Sequence, residues 1–156
     1  MIFAIFGMGE FSFDRLLNKL EKYHLRTKKD IFAQIGNTKN KNKIIKSTDF
    51  LSYDLVIKYI SKAEVVITHG GAGSIKDCLT LNAKTIAFPR SIEFGECQHN
   101  QSELVEKLHK QKKLINASNF DTLEDAIIQA KNIDKFLNPS NELTENINLL
   151  LKKIIR

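Results

Sequence analysis

One feature of this chain restricts its fold more than any other: an apolar strand that ends in a glycine-rich turn and runs on into a helix. Residues 65–68 read Val-Val-Ile-Thr, His69 follows, and the turn is Gly70-Gly71-Ala72-Gly73-Ser74. Glycines permit close backbone approach, and the free N–H groups at the start of a helix attract anions. The turn therefore predicts a phosphate site, in which the Ser74 hydroxyl and His69 donate hydrogen bonds. The alternative is a purely structural turn with a packed histidine.

Short β-branched runs alternate with helical patterns along the whole chain. This alternation favours an α/β fold with a parallel sheet, a single doubly wound Rossmann-like domain over residues 1–156. The predicted strands cover 2–6, 31–35, 64–68, 85–88 and 113–115. The predicted helices cover 13–23, 52–61, 73–81, 100–110, 123–131 and 142–155.

Composition narrows the class of protein. The 156 residues suffice for one domain with a buried core, and the formal net charge of +6 suits a phosphorylated ligand, nucleic acid or an anionic lipid surface. No aromatic residues interleave with the lysines, so we expect no nucleic-acid binding. Cys78 and Cys97 form neither a disulfide framework nor a zinc pattern, and no signal peptide or apolar membrane span is evident, which favours the cytoplasm.

Two further glycine loops follow predicted strands. Gly7-Met8-Gly9 comes after the first strand, and Gly36 comes after the second. The first loop is a weak dinucleotide motif, because Ser12 stands where that fingerprint needs a glycine or alanine. Ligands of parallel sheets bind beyond the carboxyl ends of the strands. We therefore expect all three glycine loops to line one crevice.

Polar residues around these loops extend the predicted site. Asp77 lies about one helical turn after Ser74, where its carboxylate can accept from ribose hydroxyls or stand as an ordinary exposed carboxylate. Arg90 offers a positive charge to the phosphates, and the polar loop 89–101 suits sugar hydroxyls. The sequence contains no Asp-x-Asp element, and we expect no metal or other cofactor.

The segment 68–74 resembles the nucleotide-sugar signature of GT-B glycosyltransferases, in particular the C-terminal domain of glycosyltransferase family 28. The other matching segments also stand in the order expected of that domain: 5–14, 34–36, 50–53 and 89–101. The resemblance covers the chain from residue 1 to about 115 and implies the C-terminal, donor-binding half of a GT-B fold. The most similar subtype is split, with a membrane-associated partner subunit supplying the acceptor-binding half.

The resemblance also assigns residues to parts of the donor. It implies diphosphate contacts for His69, Gly71 and Ser74, a ribose contact for Asp77, and sugar contacts for Gln98 and Gln101, with uracil at Phe50 and Leu51. His69 has at most an electrostatic role, and no general base is assigned. The predicted substrate contacts are Gly7, Met8, Gly9, Gly36, Phe50, Leu51, His69, Gly70, Gly71, Gly73, Ser74, Asp77, Arg90, Glu96, Gln98 and Gln101.

The function that the resemblance implies is transfer of a hexose from a UDP-sugar to a lipid-linked acceptor in surface polysaccharide biosynthesis, by an inverting, metal-free mechanism. The enzyme would lie at the inner face of the membrane through its partner. The amphipathic stretch 142–156 packs on its own domain or on that partner. The alternative is a non-catalytic UDP-sugar-binding subunit that regulates a separate transferase, while a basic nucleic-acid binder ranks third.

Overall fold

The computed structural model describes residues 1–133, in which strands and helices alternate. The strands of this part of the chain are β1 (Ile2–Ile5), β2 (Ile31–Gln34), β3 (Lys46–Thr48), β4 (Val65–His69), β5 (Thr85–Phe88) and β6 (Ile115–Asn116). Its α-helices are α1 (Asp14–Thr27), α2 (Tyr53–Lys62), α3 (Ala72–Thr80), α4 (Ser102–Lys110) and α5 (Leu123–Asn132). Single 3-10 turns cover Ile92–Phe94 and Ala117–Asn119.

The strands form one parallel sheet in the order β3-β2-β1-β4-β5-β6. The chain starts at the centre of the sheet, builds outward to β3, and then crosses back so that β4 pairs with the other side of β1. Ile5 at the end of β1 lies opposite Gln34 on one side and Thr68 on the other. The strand order thus reverses between β1 and β4, the position at which such sheets bind ligands. The predicted parallel α/β fold is confirmed.

Helices cover both faces of the sheet, because the strands present apolar side chains alternately to each side. On one face, Leu20 of α1 and Ala126 of α5 belong to the same buried cluster as Ile67 of β4. On the other face, Ile60 of α2 clusters with Val66 of β4, and a further cluster joins α3 to α4. Each fully buried Leu or Ile stabilises the fold by about 1.5–3 kcal/mol. These two layers hold the carboxyl ends of β1 and β4 in fixed positions.

Helix α1 continues to Thr27, beyond the predicted 13–23. The prediction stopped short because the last turn is not buried and carries no apolar stripe. His24 and Arg26 place basic groups where the helix carbonyls point, an arrangement that favours continued helix. The helix ends where Lys28 adopts a left-handed φ of 58° and donates its N–H to the His24 carbonyl at 2.8 Å. Among the helices of residues 1–133, none combines the length and the apolar character that crossing a bilayer requires.

Two other differences from the sequence prediction concern weak patterns. Strand β3 was not predicted, because Lys46-Ser47-Thr48 is a short polar edge strand without an apolar pattern. The predicted strand 113–115 is shifted to Ile115–Asn116, since residues 111–113 still complete the turn after α4. The predicted helix 142–155 lies outside the described residues.

Candidate functional site

The three glycine loops meet at the carboxyl ends of β1, β2 and β4. Gly7 has a φ of +84°, and a Cβ added there would lie 2.6 Å from Nε2 of His69. Gly36 has a φ of +57°, and its added Cβ would lie 2.6 Å from the Gly7 carbonyl oxygen. Both positions thus combine a backbone conformation that favours glycine with a contact that excludes a side chain. The structure therefore places the predicted loops side by side, with His69 between them.

His69 ends β4 and bonds within its own turn. Its Nδ1 accepts the Gly71 N–H at 3.0 Å, and its Nε2 lies 3.3 Å from the Ser74 hydroxyl. Burial lowers the pKa of His69 to about 4, and the positive charge of Arg90 contributes to the decrease. The ring is therefore neutral at physiological pH and brings no charge to a bound phosphate, and its two nitrogens face the Gly71 N–H and the Ser74 hydroxyl. Gly71 has to be glycine, because an added Cβ would lie 2.0 Å from Cε1 of His69.

The first turn of α3 faces open space. Gly71 is the N-cap, and no side chain caps the helix. A Cβ added at Gly73 would meet nothing within 4 Å among the described residues, so packing does not explain this glycine. Its absence of a side chain leaves the N–H groups at the positive end of the helix accessible to an anion. Ser74, half-buried beside them, adds a hydroxyl.

The predicted base and ribose residues lie on the β2 side of the crevice. Phe50 is 49% exposed, and its Cε1 atom lies 4.0 Å from the Cβ position of Gly36, while Leu51 is half-buried. The Asp77 carboxylate accepts a hydrogen bond from the Tyr53 hydroxyl at 3.2 Å, a bond that raises the pKa of Tyr53. Sequence reasoning missed Tyr53, whose position two residues after Leu51 was its only signal. Aromatic rings and a carboxylate in this arrangement suit a nucleoside.

Arg90 occupies a different environment from the one its predicted phosphate contact would require. The residue is 5% exposed, and its guanidinium donates to the backbone carbonyls of Phe6, Phe11, Ser12 and Glu96 at 2.8–3.3 Å. These bonds tie the loop after β5 to the loop after β1. The geometry favours a role for Arg90 in holding the two loops together, with its positive charge acting on the crevice from below the surface.

Glu96 is likewise engaged within the protein. Its buried carboxylate forms a two-point ion pair with Arg15 of α1, with distances of 3.0 Å to Nε and 2.6 Å to Nη2, and also accepts the Ser91 N–H. The Arg15 guanidinium lies 4.4 Å and 4.6 Å from the ring centroids of Phe88 and Phe94. Both carboxylate oxygens are thus occupied, which argues against the predicted contact with substrate. Sequence reasoning missed Arg15, because nothing in the local pattern distinguishes it from other helix cations.

Arg90 and Glu96 border a cleft of about 370 Å³. Its walls include His69, Cys97, Gln98 and Gln101, while Met8 nearby is 80% exposed. Gln101 lies against Gly70, where an added Cβ would lie 2.5 Å from Cβ of Gln101. Two larger cavities lie elsewhere. One of about 600 Å³ borders the 38–47 loop, and one of about 500 Å³ lies between α1 and the start of α5. Neither is lined by the glycine loops.

The described residues contain no group of three or more His, Cys, Asp or Glu side chains placed to hold a metal ion. The groups of the crevice that can donate to an anion include the N–H groups at the start of α3 and the Ser74 hydroxyl. The expectation of a metal-free site stays a prediction.

Comparison with known proteins identifies the family to which the chain belongs. Residues 12–152 match the model of the glycosyltransferase family 28 C-terminal domain. The chain belongs to this family. The family 28 domain also resembles solved structures, among them the glycotransferase of kitacinnamycin, with a TM-score of 0.62, 14% identity, and coverage of 95% of this chain and 37% of that one. Glycosyltransferase SnogD from Streptomyces nogalater matches with a TM-score of 0.49, 11% identity, and coverage of 83% and 38%.

The first of these structures fixes the fold of the family 28 domain as the Rossmann-like sheet of a GT-B glycosyltransferase half. The domain spans 37% of the length of that protein. No curated protein matches the chain in sequence.

Proposed function

We propose that the family 28 domain is the UDP-sugar-binding half of a glycosyltransferase that transfers a hexose to a lipid-linked acceptor in surface polysaccharide biosynthesis. The observation that carries the proposal is the crevice between β1 and β4. There the glycine loops, the uncapped first turn of α3 and the neutral His69 ring converge. A diphosphate needs N–H donors such as those of this first turn, and a nucleoside fits the neighbouring Phe50 and Asp77.

The donor geometry we propose follows the crevice from one side to the other. The uracil and ribose lie against Phe50, Leu51 and Asp77, and the diphosphate lies on the first turn of α3. The sugar then reaches the cleft lined by Gln98 and Gln101. Met8 and Gly9 border the entrance from the β1 side, where both are exposed.

The mechanism we propose is an inverting displacement without a metal ion. As the bond between the sugar and the diphosphate breaks, negative charge grows on the departing UDP. The fixed N–H groups of α3 and the hydroxyl of Ser74 stabilise that charge without rearranging, which is electrostatic preorganisation. The acceptor hydroxyl must lose a proton to a base, which we assign to the acceptor-binding half.

We further propose that this half is a membrane-associated partner subunit, which would bring the domain to the inner face of the membrane. The proposal rests on the resemblance to split transferases. The lipid-linked acceptor would then reach the crevice through the partner. Donor binding and transfer are therefore separable properties of this chain.

Thermal unfolding with UDP, UMP, ADP, GDP and a panel of UDP-sugars tests donor binding. A ligand at about 100 times its dissociation constant stabilises the folded state by roughly 2.7 kcal/mol. We expect UDP and one UDP-sugar to raise the melting temperature, and Ser74→Ala, which removes one hydrogen bond to the ligand, to reduce the shift by about half at the same ligand concentration. Ser61→Ala is the matched control, because Ser61 is an exposed helical serine on α2 bonded only to the Ile57 carbonyl.

Transfer assays test the partner. We expect the purified chain to bind donor but to turn over slowly, and the co-expressed pair to transfer sugar to a lipid-linked acceptor. Rapid transfer by the chain alone would contradict the assigned partner. Absence of any nucleotide shift, for the chain and for the pair, would overturn the donor-binding proposal itself.

A further inference from the structure

The amide of Gln101 is held in one orientation by the backbone. Its Oε1 accepts the Arg90 N–H at 3.2 Å, and an N–H can only donate. The amide nitrogen therefore faces His69, whose Nδ1 lies 3.3 Å from Nε2 of Gln101 and 3.4 Å from Oε1. The Arg90 backbone is itself fixed, because the guanidinium of that residue is bonded to four carbonyl groups.

The second fixed donor determines the proton position on His69. The Gly71 N–H points at Nδ1 from 3.0 Å, so Nδ1 must be an acceptor. Because burial keeps the ring neutral, with a pKa of about 4, the imidazole carries one proton at pH 7. That proton is therefore on Nε2. Gln101 and Gly71 thus both donate to the same nitrogen of His69.

The proton on Nε2 determines what Ser74 can do. Nε2 lies 3.3 Å from the Ser74 hydroxyl oxygen, so the histidine donates and the serine accepts. A hydroxyl that accepts from His69 keeps its own proton for another partner. Ser74 lies in the first turn of α3, beside the uncapped N–H groups. Its proton is thus available to an anion at that helix end.

We infer that Gln101 is a positioning residue, which together with the Gly71 N–H holds His69 with its proton on Nε2 and so makes the Ser74 hydroxyl a donor to the ligand. The effect on ligand binding rests on the proposed donor site. This role differs from the predicted sugar contact, because it uses the bonds of Gln101 to Arg90 and His69 rather than a bond to the ligand. The two roles predict different losses: positioning affects UDP and UDP-sugar alike, whereas a sugar contact affects only UDP-sugar.

The test is long-range ¹H–¹⁵N correlation NMR of the full chain, without ligand, in wild type and Gln101→Glu. We expect wild-type His69 to carry its proton on Nε2 alone. A carboxylate at position 101 cannot donate, so the proton should move to Nδ1 or the ring should take up a second proton. The pKa of His69 should then rise from its low value. Gln111→Glu, the same exchange at an exposed position just after α4, is the control and should leave the ring unchanged.

Binding measurements complete the test. In Gln101→Glu we expect affinity to fall by about tenfold for both UDP and the UDP-sugar, the loss of roughly one hydrogen bond. In a Ser74→Ala background the same change should lower affinity little further, because the hydroxyl that His69 orients is already absent. Gln101→Leu, which removes the amide without adding charge, leaves Nδ1 with the Gly71 N–H alone, so it should lower affinity for UDP and the UDP-sugar equally but by less than the glutamate variant.

Two results would overturn the inference. One is a wild-type His69 with its proton on Nδ1, and the other is a loss of affinity confined to the UDP-sugar. The NMR result requires no ligand, so it separates this inference from the proposed function. If wild-type His69 carries its proton on Nε2 but the protein binds no nucleotide, the donor site is refuted and the assignment of the His69 proton still holds.

Discussion

Replacing Gly73 with alanine should separate ligand binding from folding. The residue lies in the first turn of α3, is exposed, and has nothing within 4 Å of an added Cβ among the described residues. A methyl group there collides with no described part of the protein. It does occupy the space through which a diphosphate would approach the helix N–H groups. The same change should therefore have opposite effects on stability and on affinity.

The structure gives the expected size of each effect. Glycine within a helix is less favourable than alanine by roughly 0.5–1 kcal/mol, so Gly73→Ala should stabilise the fold. For a chain of this length that corresponds to a rise of about 1–4 °C in melting temperature. A methyl group forced against a bound phosphate costs about 1–3 kcal/mol, so UDP affinity should fall by roughly 5- to 150-fold.

The assay is calorimetric titration of UDP beside thermal unfolding without ligand. Thr80→Ala at the far end of α3 is the matched control, since it gains helix propensity without approaching the crevice and should leave affinity unchanged. Gly71→Ala should behave oppositely and lose stability, because its Cβ would lie 2.0 Å from Cε1 of His69. Wild-type affinity in Gly73→Ala would refute the placement of the diphosphate on α3.

Three further predictions concern the surroundings of the site. Arg15→Met should lower the free energy of unfolding by about 1–3 kcal/mol, measured with urea, because it leaves the buried Glu96 carboxylate without its cation while Arg15 itself is partly solvated. As pH falls from 6.5 towards about 4, the unfolded chain protonates His69 while the folded chain does not, so stability should decrease; His69→Asn should flatten this part of the stability profile. Burial raises the pKa of both thiols, to about 12 for Cys78, so iodoacetamide should modify Cys97 first, and a UDP-sugar in the cleft should slow that reaction.

Each of these has a control within the chain. Arg26→Met breaks the more exposed pair with Glu124 on the same face of α1 and should change stability by about 0.5 kcal/mol or less. An equal loss of unfolding free energy in both variants would contradict the prediction that the buried pair of Arg15 with Glu96 stabilises the fold more than the exposed pair. An acid profile unchanged by His69→Asn would contradict the lowered pKa. Labelling of Cys97 that a tightly bound UDP-sugar does not slow would exclude the sugar from the cleft.

Local pattern explains why so much of the fold could be predicted. Strands such as Val65–His69 are β-branched and apolar on both faces, and helix α1 repeats Leu16, Leu17 and Leu20 at helical spacing. Both signals are local patterns. A strand that is buried on both faces needs a continuous apolar run, and a helix that is buried along one stripe needs apolar residues at helical spacing. Strand β3 lacks the signal, since an edge strand of three polar residues is held by its partner rather than by its own composition.

The sequence by itself determined the class of fold and the positions of the glycine loops, because periodicity and glycine placement are local properties of the chain. The tertiary structure alone decided how the polar residues are used. Arg90 contacts a carbonyl 84 residues away, Arg15 a carboxylate 81 residues away, and Gln101 a histidine 32 residues away. No local pattern encodes such pairs, since packing of separate elements creates them. Whether a charged side chain meets a ligand or its own protein is therefore settled only by the folded sheet.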